Sequence, residues 1–172
     1  MSKPATSRLE KTFAVNVFGP TMLAKGLSPM MRSKGRRAAT VIVNLSARVG
    51  SMSDNQLGGW ISYRMSKSAL NQATRTMAIE LKRQGTHAIA LHPGTTGKTL
   101  LEPTSTFRCF RSDDTVFFLI DTGLSKPFQQ NVKEGRLFPV EFTVEKLLNV
   151  VNSMEEENSG GFYDWAGKAL PF

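Results

Sequence analysis

Cysteine is nearly absent: Cys109 stands alone among 172 residues. That excludes an internal disulfide, and no second Cys or His sits near it at metal-ligand spacing, so no metal site is expected. Long apolar runs are missing too. Met1–Lys11 holds no apolar stretch that could act as a secretory signal, and Val116–Ile120 is far too short to cross a bilayer. These absences predict a cytoplasmic protein. Acidic residues are the scarcer sign, 14 against 22 basic, for a net charge of +8. Four of the cations (Arg32, Lys34, Arg36 and Arg37) crowd one segment. No interleaved aromatics, zinc spacing or recognition-helix pattern accompany them, so a solvated loop is expected rather than a nucleic-acid surface. What is present is ordinary for a globular chain: 40% hydrophobic and 21% charged residues, enough for one compact core. There is no internal repeat or low-complexity tract.

Periodicity divides the chain. Leu9, Phe13, Val17, Leu23, Leu27 and Met30 predict an amphipathic helix over 8–33, interrupted by Pro20 and Pro29. Thr40–Leu45, TVIVNL, is β-branched and apolar on both faces, as in a buried parallel strand, and Ser46–Gly59 follows as a loop. Met65, Ala69, Ala73, Met77 and Leu81 recur every four residues, predicting a helix capped by Ser62 and stopped by Gly85. His87–Leu91 is a second apolar strand. Strand, helix and strand in that order imply a parallel crossover and an α/β fold. Thr143–Met154 returns to helical spacing with Thr143 as cap, and Glu155–Glu157 are expected to face an unfavourable helix dipole. Gly160–Phe172 reads as a short strand with an aromatic flap.

Tyr63 and Lys67 stand one helical turn apart, so both side chains can reach one site. An ammonium beside a phenol favours the phenolate, drawing a tyrosine down from its usual pKa of about 10 and fitting it for general acid–base work on a carbonyl and alcohol pair. The helix follows a loop that leaves a buried strand, which places Tyr63 near the ligand-binding edge of a parallel sheet.

YRMSK at Tyr63–Lys67, preceded by VIVNLSARVGSMSDNQLGGW and followed by SALNQATRTMAIEL, resembles the active-site segment of short-chain dehydrogenases/reductases, specifically their C-factor-like subgroup. The likeness extends to VNVFGP at Val15–Pro20, LHPGTT at Leu91–Thr96 and DTGLSKPFQQNV at Asp121–Val132. It implies an NAD(P)-dependent oxidoreductase with NAD or NADP as cofactor and a small-molecule carbonyl or alcohol as substrate. Tyr63 would exchange the proton, while Lys67 would support it and hold the nicotinamide ribose. Asn16 matches the family's helix asparagine; Pro20, four residues on, has no amide hydrogen for the Asn16 carbonyl, which is left to bind a relay water. Pro93, Gly94, Thr95 and Thr96 match the loop that lies against the nicotinamide.

The resemblance also carries departures. Ala47 occupies the position of a serine that polarises the substrate carbonyl in most relatives, with Ser51 as the nearest substitute. No strand and glycine-rich turn precede the first helix. The expected fold is therefore an incomplete doubly wound, Rossmann-like parallel sheet, the carboxy-terminal half of the family domain, spanning 1–172 as one partial domain. With half the sheet missing, Thr40–Leu45 would expose an apolar edge and leave the chain marginally stable. Between Gly97 and Ile120 the family pattern is interrupted by an irregular insertion, read as a retained intron or a gene-model error. The alternative function is a catalytically inactive paralogue that acts by association with full-length subunits, as a homo- or hetero-oligomer through the helices at 8–33 and 63–84. A third reading, HPGTTGKT at His92–Thr99 as a phosphate-binding loop, requires a helix to open there, and Pro103 follows too soon.

Overall fold

The computed structural model describes residues 6–32, 40–96, 116–117 and 137–172. In chain order these form α1 (Thr6–Phe13), a π turn (Ala14–Phe18), α2 (Gly19–Leu27), β1 (Thr40–Leu45), α3 (Ile61–Glu80), β2 (Thr86–His92), β3 (Thr95–Thr96), β4 (Val116–Phe117), β5 (Leu137–Phe138), α4 (Val140–Asn152) and β6 (Phe162–Asp164). The main sheet has the order β4-β1-β2-β6 and every pairing in it is parallel. β3 and β5 make a separate parallel ribbon.

Side-chain alternation in β1 and β2 explains the layering. Ile42 and Ala88 point to one face and join Ala24, Met31 and Ala78 from α2, its continuation and α3. Val43, Ile89 and Leu91 point to the other and join Leu147, Val150 and Val151 from α4. A strand buried on both faces needs apolar residues at odd and even positions alike, which is what TVIVNL and HAIAL provide. The α/β reading and both strands stand as expected. Helices covering both faces of a parallel sheet make the fold Rossmann-like.

Several boundaries differ from expectation, each for a local reason. The first helix is continuous through a π turn, where the Gly19 amide bonds the Ala14 carbonyl instead of the residue four back. Pro20, unable to donate, sits at the start of α2 just beyond. Ser62 does not cap α3: the helix starts at Ile61 after Trp60, which is left-handed (φ 48°) and makes no side-chain cap. Gly85 ends a short 3-10 turn rather than α3 itself. Thr143 lies inside α4, where its hydroxyl donates to the Pro139 carbonyl, and Pro139 is the cap position. Glu155–Glu157 escape the unfavourable end of α4 because they enter a separate turn, with Glu155 and Asn158 capping each other and Glu156 paired to Lys82 at 3.1 Å.

The face that α3 turns inward is also not the expected apolar ladder. Ser66, Lys67, Leu70, Asn71, Thr74 and Ala78 are buried, whereas Met65 is 44% exposed. Much of this polar inner face is paired, with Asn44 Nδ2 donating to Thr74 Oγ1 at 2.9 Å and Ser46 Oγ donating to Asn71 Oδ1, while Asn71 Nδ2 is buried without a hydrogen-bond partner among the described residues.

The expected open edge of β1 is covered at Val41 and Ile42, which pair with Val116 and Phe117. That short strand comes from the segment read as an irregular insertion, whose remaining residues, like the basic run from Ser33 to Ala39 and the DTGLSKPF motif, lie outside the described residues. Thr95 and Thr96 form a strand after His92–Gly94, and the point at which the phosphate-loop reading needs a helix to open lies outside the described residues. Among the described residues, no helix is long and apolar enough to cross a membrane, and no three His, Cys, Asp or Glu side chains gather as a metal site.

Candidate active site

Three segments meet at the carboxyl ends of β1 and β2: the first turns of α3, the loop leaving β1, and the π turn. Tyr63 is half-buried in α3. Lys67, one turn later, is 9% exposed, and its Nζ donates to the Leu45 carbonyl at the end of β1 at 2.9 Å. The same Nζ stands 5.6 Å from the centre of the Tyr63 ring, within cation–π range. The ammonium is thus fixed by the sheet beside the phenol.

Asn16 reaches this site from the π turn. It is 8% exposed, and its Nδ2 donates to Ser66 Oγ at 3.0 Å, while Ser66 Oγ donates to the Tyr63 carbonyl at 2.8 Å. A hydrogen-bonded chain therefore runs from the irregular helix to the backbone of the candidate catalytic tyrosine. Residue spacing alone did not single out Ser66, although it lies within YRMSK.

The loop from β1 is packed against Lys67. A Cβ on Gly50 would lie 2.8 Å from Lys67 Cβ and 2.9 Å from its carbonyl carbon, so only glycine allows this approach. Ser68 Oγ donates to the Gly50 carbonyl at 2.7 Å. Ala47 sits extended before this turn and offers no hydroxyl. Ser51 is 1% exposed and its Oγ accepts from the Asp54 amide, so that hydroxyl serves the turn.

Pro93–Thr96 continue from the end of β2. Gly94 is left-handed (φ 75°), and a Cβ there would meet Phe138 at 2.9 Å and Trp165 at 3.1 Å. These rings pack on one another with centroids 4.7 Å apart, and Phe142 completes the cluster at 5.2 Å from Phe138. Pairing of Thr95 with Leu137 and Thr96 with Phe138 ties the loop to the same aromatic base.

His92, just before this loop, was not expected to matter. It pairs in register with Asp164 of β6, and its Nδ1 is buried without a hydrogen-bond partner. Burial lowers its pKa from 6.5 to about 4, against the pull of Asp164 and with the Arg48 charge adding to the fall. The histidine is therefore neutral near pH 7. Since the unfolded chain binds the proton more readily, stability is full above pH 6.5 and declines as pH falls toward 4. The gap between 6.5 and about 4 corresponds to about 3 kcal/mol. Denaturant midpoints measured across this range should fall in the parent, and the slope should flatten in His92→Gln; equal slopes would refute the assignment.

The short chain dehydrogenase family model matches residues 1–107. C-signal of Myxococcus xanthus is 27% identical over 164 residues, covering 95% of this chain and 78% of that protein. An uncharacterized oxidoreductase of Schizosaccharomyces pombe is 27% identical over 160 residues, but this chain spans only 56% of its length. Carbonyl reductase Sniffer of D. melanogaster superposes with a TM-score of 0.75 at 23% identity, and the NADPH-bound carbonyl reductase from chicken fatty liver with 0.72 at 24%. Both comparisons take in 100% of this chain and 60% of the other. With the family model matched over more than half of its residues, the chain belongs to the short-chain dehydrogenase family.

Proposed function

We propose that this chain carries the proton-handling half of an NAD(P)-dependent oxidoreductase acting on a carbonyl and alcohol pair. The observation that carries the reading is the Lys67 ammonium, anchored on the Leu45 carbonyl and 5.6 Å from the Tyr63 ring. The residues present suit the nicotinamide end of the cofactor. Lys67 and Tyr63 offer donors for a ribose hydroxyl, and Pro93, Gly94, Thr95 and Thr96 continue from the carboxyl end of β2, the strand paired with β1. When bound, the nicotinamide supplies or accepts the hydride. Tyr63 gives its phenolic proton to the carbonyl oxygen or takes it from the alcohol, and Lys67 stabilises the phenolate left behind. The Asn16 carbonyl, to which Pro20 has no amide hydrogen to donate, receives the relay water that returns the proton.

Ala47 leaves the substrate oxygen without the serine that most relatives supply, so Tyr63 is its principal donor. The test is turnover of NADPH or NADH with a panel of aldehydes and ketones. Oxidation of the nucleotide that collapses in Tyr63→Phe supports the reading, and none in the parent chain refutes it.

A second reading, association through the helices with copies or full-length relatives, is favoured by Val15, Phe18 and Met22. These apolar side chains are 58%, 59% and 63% exposed along the π turn and α2. Sedimentation should give an oligomer that Phe18→Glu with Met22→Glu reduces to monomer; a monomeric parent would refute it.

A further inference from the structure

Three consecutive residues before α3 are left-handed: Gly58 (φ 64°), Gly59 (φ 73°) and Trp60 (φ 48°). Two glycines adopt this path freely, but a tryptophan does so at a cost and stays only where its surroundings impose it. α3 has no side-chain N-cap to set its start. What crosses this region is the Arg64 guanidinium. Its Nε donates to the Gly59 carbonyl at 3.1 Å and the Gly58 carbonyl at 3.2 Å, and its Nη1 donates to the Val49 carbonyl at 3.2 Å. The Val49 carbonyl belongs to the same turn as Gly50, whose missing side chain admits the backbone of Lys67.

We infer that Arg64 is a positioning residue, which fastens the left-handed Gly58–Trp60 path and the Val49–Gly50 turn to α3 and so fixes Tyr63 and Lys67 against each other. The placement of the two contacts requires arginine. A guanidinium is a rigid fork whose separate nitrogens reach both ends of the β1–α3 loop together, whereas a lysine ammonium is one point and can serve one of them. Tyr63 precedes Arg64 directly, so any slack in this first turn of α3 passes to the phenol without an intervening element. The consequence for rate rests on the oxidoreductase reading; the clamp itself does not.

Hydrogen exchange separates the two. In the full chain, Arg64→Lys and Arg64→Met are compared with the parent by amide exchange in peptides covering 52–62, with β2 as the internal reference. Exchange in 52–62 should rise about tenfold in both variants while β2 stays protected, because hydrogen bonds to a charged group are lost locally. Where the parent turns over nicotinamide nucleotide, kcat should fall about tenfold with KM nearly unchanged, and lysine should restore little. Parental exchange in the variants overturns the clamp. Raised exchange with parental kcat overturns the positioning role. A parent without turnover defeats the oxidoreductase reading instead, and exchange alone then decides whether Arg64 holds the β1–α3 loop. Should Arg64→Met fail to fold, Arg64→Lys supplies the same comparison.

Discussion

Tyr63→Phe is expected to lower kcat/KM by about 10²–10⁴-fold, the usual worth of a positioned general acid or base. The substitution removes one oxygen from a half-buried ring and leaves its packing intact, so far-UV dichroism and the melting transition should stay close to parental. The ring contact with Lys67 Nζ at 5.6 Å survives as well, which makes phenylalanine the cleanest available removal of the proton. Nucleotide binding should be retained to a large degree, because Lys67 keeps its bond to the Leu45 carbonyl. Loss of turnover together with loss of the folded state would attribute the effect to structure. Unchanged turnover would remove Tyr63 from the chemistry.

Leu91→Ala is expected to be among the most destabilising single changes. Leu91 is fully buried, pairs with Leu45 on one side and Tyr163 on the other, and packs with Leu147, Val150 and Val151 of α4. Truncation leaves a cavity between sheet and helix that neighbours on a paired strand cannot fill, at a cost of about 2–5 kcal/mol. Against a total stability of about 5–15 kcal/mol this removes a large share of the folded population. The effect also reaches the site, since His92 and the Pro93–Thr96 loop continue directly from Leu91. Urea unfolding should show a lower midpoint with unchanged slope, while Ile79→Ala, at a position 66% exposed, should stay within about 0.5 kcal/mol of the parent. Equal midpoints for the two variants would place the core elsewhere.

The two largest effects thus fall on different kinds of residue, and the sequence made them legible to different degrees. Val43, Ile89 and Leu91 were readable as core because strand alternation is a local property: apolar residues at successive positions demand cover on both faces. Tyr63 and Lys67 were readable as a pair because one helical turn brings i and i+4 together whatever surrounds them. Their chemical setting was not. The Leu45 carbonyl that holds Lys67 is 22 residues away, and the Ser66 hydroxyl that links Tyr63 to the π turn spans 50.

Local pattern therefore determined the strand–helix–strand unit, the family motif and the tyrosine–lysine spacing, since each depends only on backbone geometry over a few residues. Tertiary structure alone decided that α3 buries a polar face, that Gly50 must lack a side chain, that Val116 and Phe117 cover the edge of β1, and that Arg64 ties both ends of the β1–α3 loop to α3. Each of those depends on which distant groups share a small volume, and periodicity along the chain carries no record of that.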